Sequence, residues 1–172
     1  TQQTGFSFVT QSRAWLPNEI GGVLWFGVDD TFTTVYSPVH CGIKEVPKAL
    51  AEGTGNFESF SWDSAFWVFS FVTNWTYTKW NEMIVDVQKV QREYEGRYAA
   101  DQPEVDRSAL ELYKQDPGRA RDFLTAQAAR NSEELVARWR KLGEFPMRKY
   151  MGGQVRDESG KVTHPKSPDA WY

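Results

Sequence analysis

The order of apolar and polar residues divides the chain into a β-rich beginning and a helical remainder. Phe6–Thr10 begins with the apolar–polar alternation of a half-buried strand. Val23–Val28 is apolar almost throughout, which is typical of a strand covered on both faces. A short turn at Asp29–Asp30 precedes Phe32–Ser37, which is mostly β-branched and aromatic. These runs predict antiparallel strands, with a hairpin joining the second strand to the third.

Apolar residues recur at spacings of three and four after residue 60, which predicts a long helix. Either Ser61 or Asp63 could cap its start, and Gly96 and Pro103 bracket its end. Residues 66–72 are apolar on nearly all sides of this helix. We therefore expect the first part of the helix to be buried on several faces.

Two further helices are predicted beyond this point. One runs over residues 103–115 and stops at Asp-Pro-Gly, and the next begins near Gly118. Asn131–Ser132 can interrupt the last helix, and Gly143 with Pro146 closes it.

These patterns divide the chain into three parts. Residues 1–60 form a β-rich segment, residues 61–150 form a helical region, and residues 151–172 form a polar tail. A small hairpin is expected in the tail around Ser159–Gly160. The predicted fold class is α+β, with antiparallel strands followed by long helices.

Composition narrows the classes of function. A chain of 172 residues can bury enough surface to fold without a metal or a disulfide. Its formal net charge of −3 gives no electrostatic reason to expect nucleic acid or an anionic membrane as a partner. The single cysteine excludes an intramolecular disulfide and a multi-cysteine zinc site, and it leaves the compartment undetermined. No phosphate-binding loop, dinucleotide fingerprint or His-x-x-x-His motif is present, so we predict no metal and no cofactor.

Several residues are candidates for chemistry, and each has a structural interpretation beside the catalytic one. Cys41 follows His40, but neighbours in a strand point to opposite faces, which favours a buried free thiol over a thiol–imidazole pair. The carboxylates Asp29 and Asp30 could act as an acid–base pair, although such a pair more often forms a turn. His164 lies in the polar tail, where a surface role is favoured.

Three stretches of the sequence resemble the C-terminal part of dipeptidase A-type peptidases. They are SRAWLPNEIGGVLWFGVDD at residues 12–30, TTVYSP at residues 33–38 and SWDSAFWVF at residues 61–69. The resemblance covers roughly residues 5 to 95 and is lost in the later helices. These enzymes are similar to secernins, penicillin V acylases and bile salt hydrolases, which are all N-terminal-nucleophile hydrolases.

The resemblance implies a four-layer α-β-β-α fold and a nucleophilic cysteine that is the first residue of the mature enzyme. The α-amino group of that cysteine acts as the base, which suits its titration at about 8. This chain begins with Thr1. We therefore expect a C-terminal fragment of a dipeptidase, whose N-terminal cysteine belongs to an upstream part of the same polypeptide.

The resemblance also nominates two site residues. Related acylases place an arginine close to the nucleophile, and Arg13 is the candidate for that catalytic role. It could orient the thiolate or bind a substrate carboxylate through a bidentate contact. Asn18 is a candidate substrate-binding donor. The expected partners are a short peptide substrate and the upstream part of the polypeptide, and a homo-oligomer is another way to cover the large residues Trp15, Trp25 and Phe26.

Two other functions stay open at this point. One is a non-catalytic binding or scaffold domain built on a helical bundle with a small sheet. The other is a self-contained hydrolase that uses Thr1 or Cys41 as its nucleophile.

Overall fold

The computed structural model describes residues 4–53, 55–157 and 159–164. The fold is α+β, as predicted, and its antiparallel strands precede long helices. In chain order the elements are β1 (Phe6–Ser12), α1 (Asn18–Gly21), β2 (Gly22–Val28), β3 (Ser37–His40), α2 (Ala65–Thr78), α3 (Trp80–Gln115), α4 (Pro117–Tyr150), β4 (Val155–Arg156) and β5 (Val162–Thr163). Short 3₁₀ helices occupy Lys48–Leu50 and Met151–Gly153.

The first three strands form an antiparallel sheet in the order β1-β2-β3. Phe8 of β1 pairs with Phe26 of β2, which in turn pairs with Ser37 of β3. The helices lie at the β3 side of this sheet and beneath β2. Along β1 only Ser7 is partly covered, so β1 is an exposed edge strand. The alternation in its sequence predicts half-burial, and that prediction is wrong for this chain on its own.

The main core lies between α2, α3 and α4. Its centre is Trp139 of α4, which is fully buried and stacks on Phe69 of α2 with ring centroids 4.5 Å apart. Val72 of α2 and Val87 of α3 complete the contact between the three helices. The apolar run at 66–72 is buried as expected on one side, whereas Phe66, Trp67 and Phe71 are only half-buried.

A smaller apolar cluster fixes the position of the turn between β1 and β2. Ile20 of α1 is fully buried against Ala109 of α3 and Leu124 of α4. Ile20 therefore connects the β layer to the last turns of α3 and the first turns of α4.

The predicted third strand over 32–37 is wrong, because the strand begins only at Ser37. The backbone of the preceding loop is bonded elsewhere: the N–H groups of Thr33 and Thr34 donate to the carbonyl of Asp30 at 3.2 and 3.0 Å. Gln91 of α3 donates its side-chain amide to the carbonyl of Thr34 at 2.6 Å. These contacts satisfy the loop without a sheet partner. The antiparallel pairing of β2 with β3 is confirmed, but the connection spans residues 29–36 instead of a tight turn.

The first long helix is divided into two where the sequence predicts one. Side chains near the end of α2 bond its own carbonyls, with Asn74 donating to Ser70 at 2.7 Å and Thr76 donating to Val72 at 2.8 Å. Such local bonds compete with the helical pattern. Lys79 then leaves helical geometry with φ −147° and ψ 64°, which separates α2 from α3.

Helix α3 continues through Gly96 and Pro103, so the predicted boundary there is wrong. Proline removes one helical donor, but residues 99 and 103 lie on the exposed side, where water can bind the unpaired carbonyl. The predicted stop at Asp116 is correct. Its side chain caps α4 by accepting a hydrogen bond from Gly118 N at 2.8 Å.

Helix α4 is also longer than predicted. It is not interrupted at 131–132, where Tyr98 donates its hydroxyl to the carbonyl of Asn131 at 3.2 Å. It also continues past Gly143, whose missing side chain lets α4 approach the ring of Phe71: a Cβ would lie 3.0 Å from that ring. Packing against α2 and α3 thus overrides the helix-stopping residues. The small hairpin predicted in the tail is confirmed by the pairing of β4 with β5.

No helix in the described ranges has the length and apolar character needed to cross a membrane.

We expect Trp139→Ala to lower the free energy of unfolding by about 3–5 kcal/mol, because it leaves a large cavity among three helices. Trp139→Phe should cost less, since the indole Nε1 is buried with no hydrogen-bond partner in the described part of the chain and phenylalanine removes that donor. Urea unfolding followed by circular dichroism measures both. Trp15→Ala is the matched control, because Trp15 is 79% exposed and should change stability by about 0.5 kcal/mol or less. Equal losses for Trp139→Ala and Trp15→Ala would contradict this description of the core.

Candidate functional site

Arg13 follows the end of β1 and is buried, which is unusual for a cation. Its NH1 group forms an ion pair with Asp106 of α3. Its NH2 group donates to the carbonyl of Ile20 at 2.8 Å, and its Nε donates to the carbonyl of Gly21 at 3.3 Å. A guanidinium has five N–H donors, so this arrangement fixes its plane and leaves two N–H groups for another partner.

Asp106 connects Arg13 to a histidine in β3. The side-chain amide of Gln102 donates to Asp106 Oδ1 at 2.9 Å and lies 3.0 Å from His40 Nε2. With the amide nitrogen as donor, His40 Nε2 is the acceptor, and it lies 3.6 Å from Asp106 Oδ1. Burial lowers the pKa of His40 below its ordinary value; the Asp106 carboxylate opposes this shift and Arg13 adds to it. We call Arg13, Asp106, Gln102 and His40 the Arg13 network.

The local sequence of residues 13–21 creates the pocket for this guanidinium. Leu16 N donates to the carbonyl of Arg13 at 3.1 Å, and Gly21 N donates to the carbonyl of Pro17 at 2.7 Å. The chain then returns so closely that a Cβ on Gly21 would lie 2.6 Å from the carbonyl oxygen of Arg13. Only glycine fits there without a shift of the backbone.

The other predicted site residue, Asn18, lies at the exposed start of α1. Its carbonyl accepts the N–H of Gly22, and its side chain makes no hydrogen bond within the described part of the chain. The structure therefore brings Arg13 together with Gln102 and Asp106, which sequence reasoning missed, and it does not include Asn18 in this network. The spacing of Gln102 and Asp106 by four residues places both on one face of a helix, but nothing in the sequence links that face to Arg13.

The structure separates the remaining sequence candidates. Cys41 is exposed and not buried as expected, whereas the adjacent His40 bonds to Gln102, so the two do not form a thiol–imidazole pair. His164 is exposed, as expected. Thr1 lies outside the described residues. Across 4–53, 55–157 and 159–164, no group of three or more histidines, cysteines and carboxylates is arranged to hold a metal ion.

Asp29 and Asp30 begin the loop between β2 and β3, where the carbonyl of Asp30 accepts the N–H groups of Thr33 and Thr34, and both have further unusual features. Asp29 has φ +63°, in the left-handed region that disfavours residues other than glycine. Burial raises its pKa, while the hydroxyls of Thr73 and Ser70 lower it and the charge of Asp30 adds to the rise. Asp30 accepts the hydroxyl of Tyr77, and burial with this bond raises the pKa of Tyr77 to about 12.

An aromatic groove of about 380 Å³ lies on the other side of Ser70. Its walls are Phe60, Trp67, Phe71 and Trp75, and its polar groups are Ser70, Asn74 and Thr78 of α2. The groove and the Asp29 turn therefore share one helix, but they do not meet the Arg13 network through any hydrogen bond in the described ranges.

A comparison with known protein families supports the peptidase interpretation. The family model for peptidase family C69 matches residues 1–93, which is more than half of the chain. The chain belongs to peptidase family C69. It is thus a member of a family of peptidases, enzymes that hydrolyse peptide bonds. The C69 match contains Arg13 and His40, whereas Gln102 and Asp106 lie beyond it. No curated protein matches the chain.

We expect Asp106→Ala to lower the free energy of unfolding of this C69 chain by about 3 kcal/mol, because it leaves the buried Arg13 cation unpaired. The double variant Arg13→Met/Asp106→Leu should lose less, since no charge is then buried. Chemical denaturation at pH 7 measures both.

The matched control for this prediction is Asp122→Ala. Asp122 pairs with Lys44 at the surface, where an ion pair contributes about 0–1 kcal/mol. A loss for Asp106→Ala no larger than the loss for Asp122→Ala would contradict the assigned role of the Arg13–Asp106 pair.

Asp29→Asn should stabilise the chain at neutral pH. The folded-state pKa of Asp29 is raised, so its favourable contribution exists at low pH and is lost as pH rises through that pKa. At pH 7 the substitution removes a buried charge whose Oδ2 has no hydrogen-bond partner in the described ranges, and we expect a gain on the order of 1 kcal/mol.

The gain should shrink at pH 3, where the carboxyl is protonated in both states. Thermal unfolding at the two pH values measures it, with the exposed Asp101→Asn as control. A gain of the same size at pH 3 and pH 7 would show that the backbone of Asp29, and not its charge, is responsible.

Proposed function

We propose that this chain is the C-terminal part of a cysteine dipeptidase of the N-terminal-nucleophile type. In this proposal the catalytic cysteine and its α-amino base are supplied by an upstream part of the same polypeptide, and the substrate is a short peptide. The observation that carries the proposal is the match to peptidase family C69 over residues that contain Arg13 and its binding turn. The N-terminal-nucleophile mechanism rests on the resemblance of residues 12–30, 33–38 and 61–69.

The geometry of Arg13 supports a role for its guanidinium in substrate binding or nucleophile orientation. Asp106 and the carbonyls of Ile20 and Gly21 each bind one of the three guanidinium nitrogens and hold the group in place. In this proposal the two remaining N–H groups, one on each terminal nitrogen, are the donors for a carboxylate or a thiolate. Preorganised donors of this kind lose little orientational entropy when they bind a substrate.

The exposed surface of β1 supports the proposal that an upstream part of the polypeptide packs against this chain. Phe6, Phe8 and Val9 are each more than half exposed, and Phe6 stacks on both Phe8 and Phe26. The outer edge of β1 pairs with no strand in the described ranges. Exposed edge strands with apolar faces are normally covered in folded proteins. Upstream strands of a four-layer fold would extend this sheet and cover these rings.

The proposal is tested on the full-length protein. Purified enzyme should hydrolyse dipeptides, and a covalent thiol reagent that mimics the substrate should label a cysteine upstream of residue 1. Hydrolysis by the 172-residue chain alone that is lost when Thr1 is removed would support the self-contained hydrolase instead. A full-length protein that binds short peptides without cleaving them would support a binding domain.

For Arg13, we expect Arg13→Lys in the full-length enzyme to lower kcat/KM about ten- to a hundredfold. Lysine keeps the charge but lacks the planar fork, so a charge-assisted contact of about 1.5–3 kcal/mol is lost from the transition state. Initial rates at several dipeptide concentrations separate the effect on kcat from the effect on KM.

Because Arg13 also stabilises the fold, the control is Asp106→Asn, measured in the same assay and in chemical denaturation. This variant weakens the internal partner but retains the guanidinium. If Arg13→Lys keeps wild-type kcat/KM while both variants lose stability, the network is structural and the catalytic role of Arg13 is wrong.

A further inference from the structure

A large groove lies between the first turns of α3, the last turns of α4 and the β4–β5 hairpin. Its volume is about 1230 Å³. We call it the hairpin groove. It is distinct from the Arg13 network, which shares no residue with it, and it is larger than the usual range of about 300–1000 Å³ for small-molecule pockets. Its size suits an occupant with the dimensions of a polypeptide segment.

The rim of the hairpin groove is basic although the whole chain carries a net charge of −3. Six cations line it. Lys149 pairs with Asp86, and the other five form no ion pair in the described part of the chain: Lys89, Arg138, Lys141, Arg148 and Arg156. Cations without an ion pair in the described ranges also occur elsewhere on the long helices, for example Arg119 and Arg130, whereas Arg97 pairs with Glu134 at 3.0 Å. What distinguishes the groove is the number of cations in its lining, six against three acids.

The three acids that line the groove offset only part of the charge of its six cations. Asp86 is occupied by Lys149, with 2.7 Å between Oδ2 and Nζ, and by the hydroxyl of Tyr150, also at 2.7 Å. Asp157 is occupied by its own turn, where Oδ1 accepts the N–H of Ser159 at 2.9 Å and the N–H of Lys161 at 3.0 Å. Only Glu144 among the described lining acids has no such internal partner.

The wall of the groove is apolar and adaptable. Two of the three methionines of the chain, Met147 and Met151, lie here, and both are more than one third exposed. Phe145 and Val155 add apolar surface beside them. Flexible thioether side chains fit ligands of irregular shape, and they are common where proteins bind peptides.

We propose that the hairpin groove binds an acidic peptide segment that carries apolar side chains. The unpaired cations attract the carboxylates of such a segment, and the methionines and Phe145 accept its apolar residues. Charge complementarity at the rim speeds association, and apolar contact at the wall slows dissociation. The proposal does not depend on the peptidase activity, because it uses none of the residues of the Arg13 network.

The test uses a fluorescein-labelled twelve-residue peptide that alternates glutamate with leucine and phenylalanine, titrated with the 172-residue chain and followed by fluorescence anisotropy. We expect saturable binding that weakens as salt rises. The variant Lys141→Glu/Arg148→Glu should weaken binding about tenfold or more, because two rim contacts become repulsive. Met147→Ser should weaken binding without changing its salt dependence.

The matched control variant is Arg119→Glu/Arg130→Glu, which reverses two exposed charges of the same helix outside the groove and should bind like wild type. Circular dichroism confirms that each variant is folded.

The proposal is overturned if the peptide does not bind or if both double variants weaken binding alike. It is overturned as well if a peptide in which serine replaces the leucines and phenylalanines binds equally well. It is also overturned if Lys141→Glu/Arg148→Glu abolishes self-association or binding to phosphatidylserine vesicles while peptide binding is unchanged.

Discussion

The arrangement of the β layer on the helices depends on one buried charge. Arg13 cannot leave water without partners, and the partners come from its own turn and from Asp106, 93 residues further along the chain. Satisfying this cation fixes the turn of residues 13–21, the docking of α1 on α3 and, through Gln102, the position of His40 in β3. The apolar contact of Ile20 with Ala109 and Leu124 reinforces the same alignment. The sheet and the helices are thus joined by a polar contact and an apolar contact that lie side by side.

This constraint links the family assignment to the later helices. The match to peptidase family C69 ends at residue 93, yet the carboxylate that holds Arg13 lies at residue 106. The second half of the chain therefore belongs to the same structural unit as the matched part. Its helices contribute the groups that orient the residue proposed to act on substrate, and they also form the hairpin groove at the opposite end.

Local signals in the sequence predicted β1, β2, the start of α4 and the tail hairpin, because alternation, apolar runs and an Asp-Pro-Gly stop act over a few residues. They gave wrong predictions where contacts between residues far apart in the sequence determine the local structure. Phe32–Ser37 has the composition of a strand, but Gln91 and Glu95 of α3 bond its backbone in a loop. Gly143 and Pro146 resemble a helix end, but close packing on Phe71 keeps α4 helical. For the site, only the family resemblance singled out Arg13. Its partner Asp106 could not be predicted, because the sequence around it resembles that of any exposed acid in a charged helix.

The distance in sequence between Arg13 and Asp106 has a consequence for the order in which the molecule folds. Helices α3 and α4 follow each other directly and can pair as soon as both exist, at a small cost in loop entropy. The β layer, although it precedes the helices in the chain, must wait for α3 before Arg13 finds its counter-ion. We therefore expect the helical pair to form the folding nucleus and the strands to dock late, so that segments made before the helices reach their native environment after them.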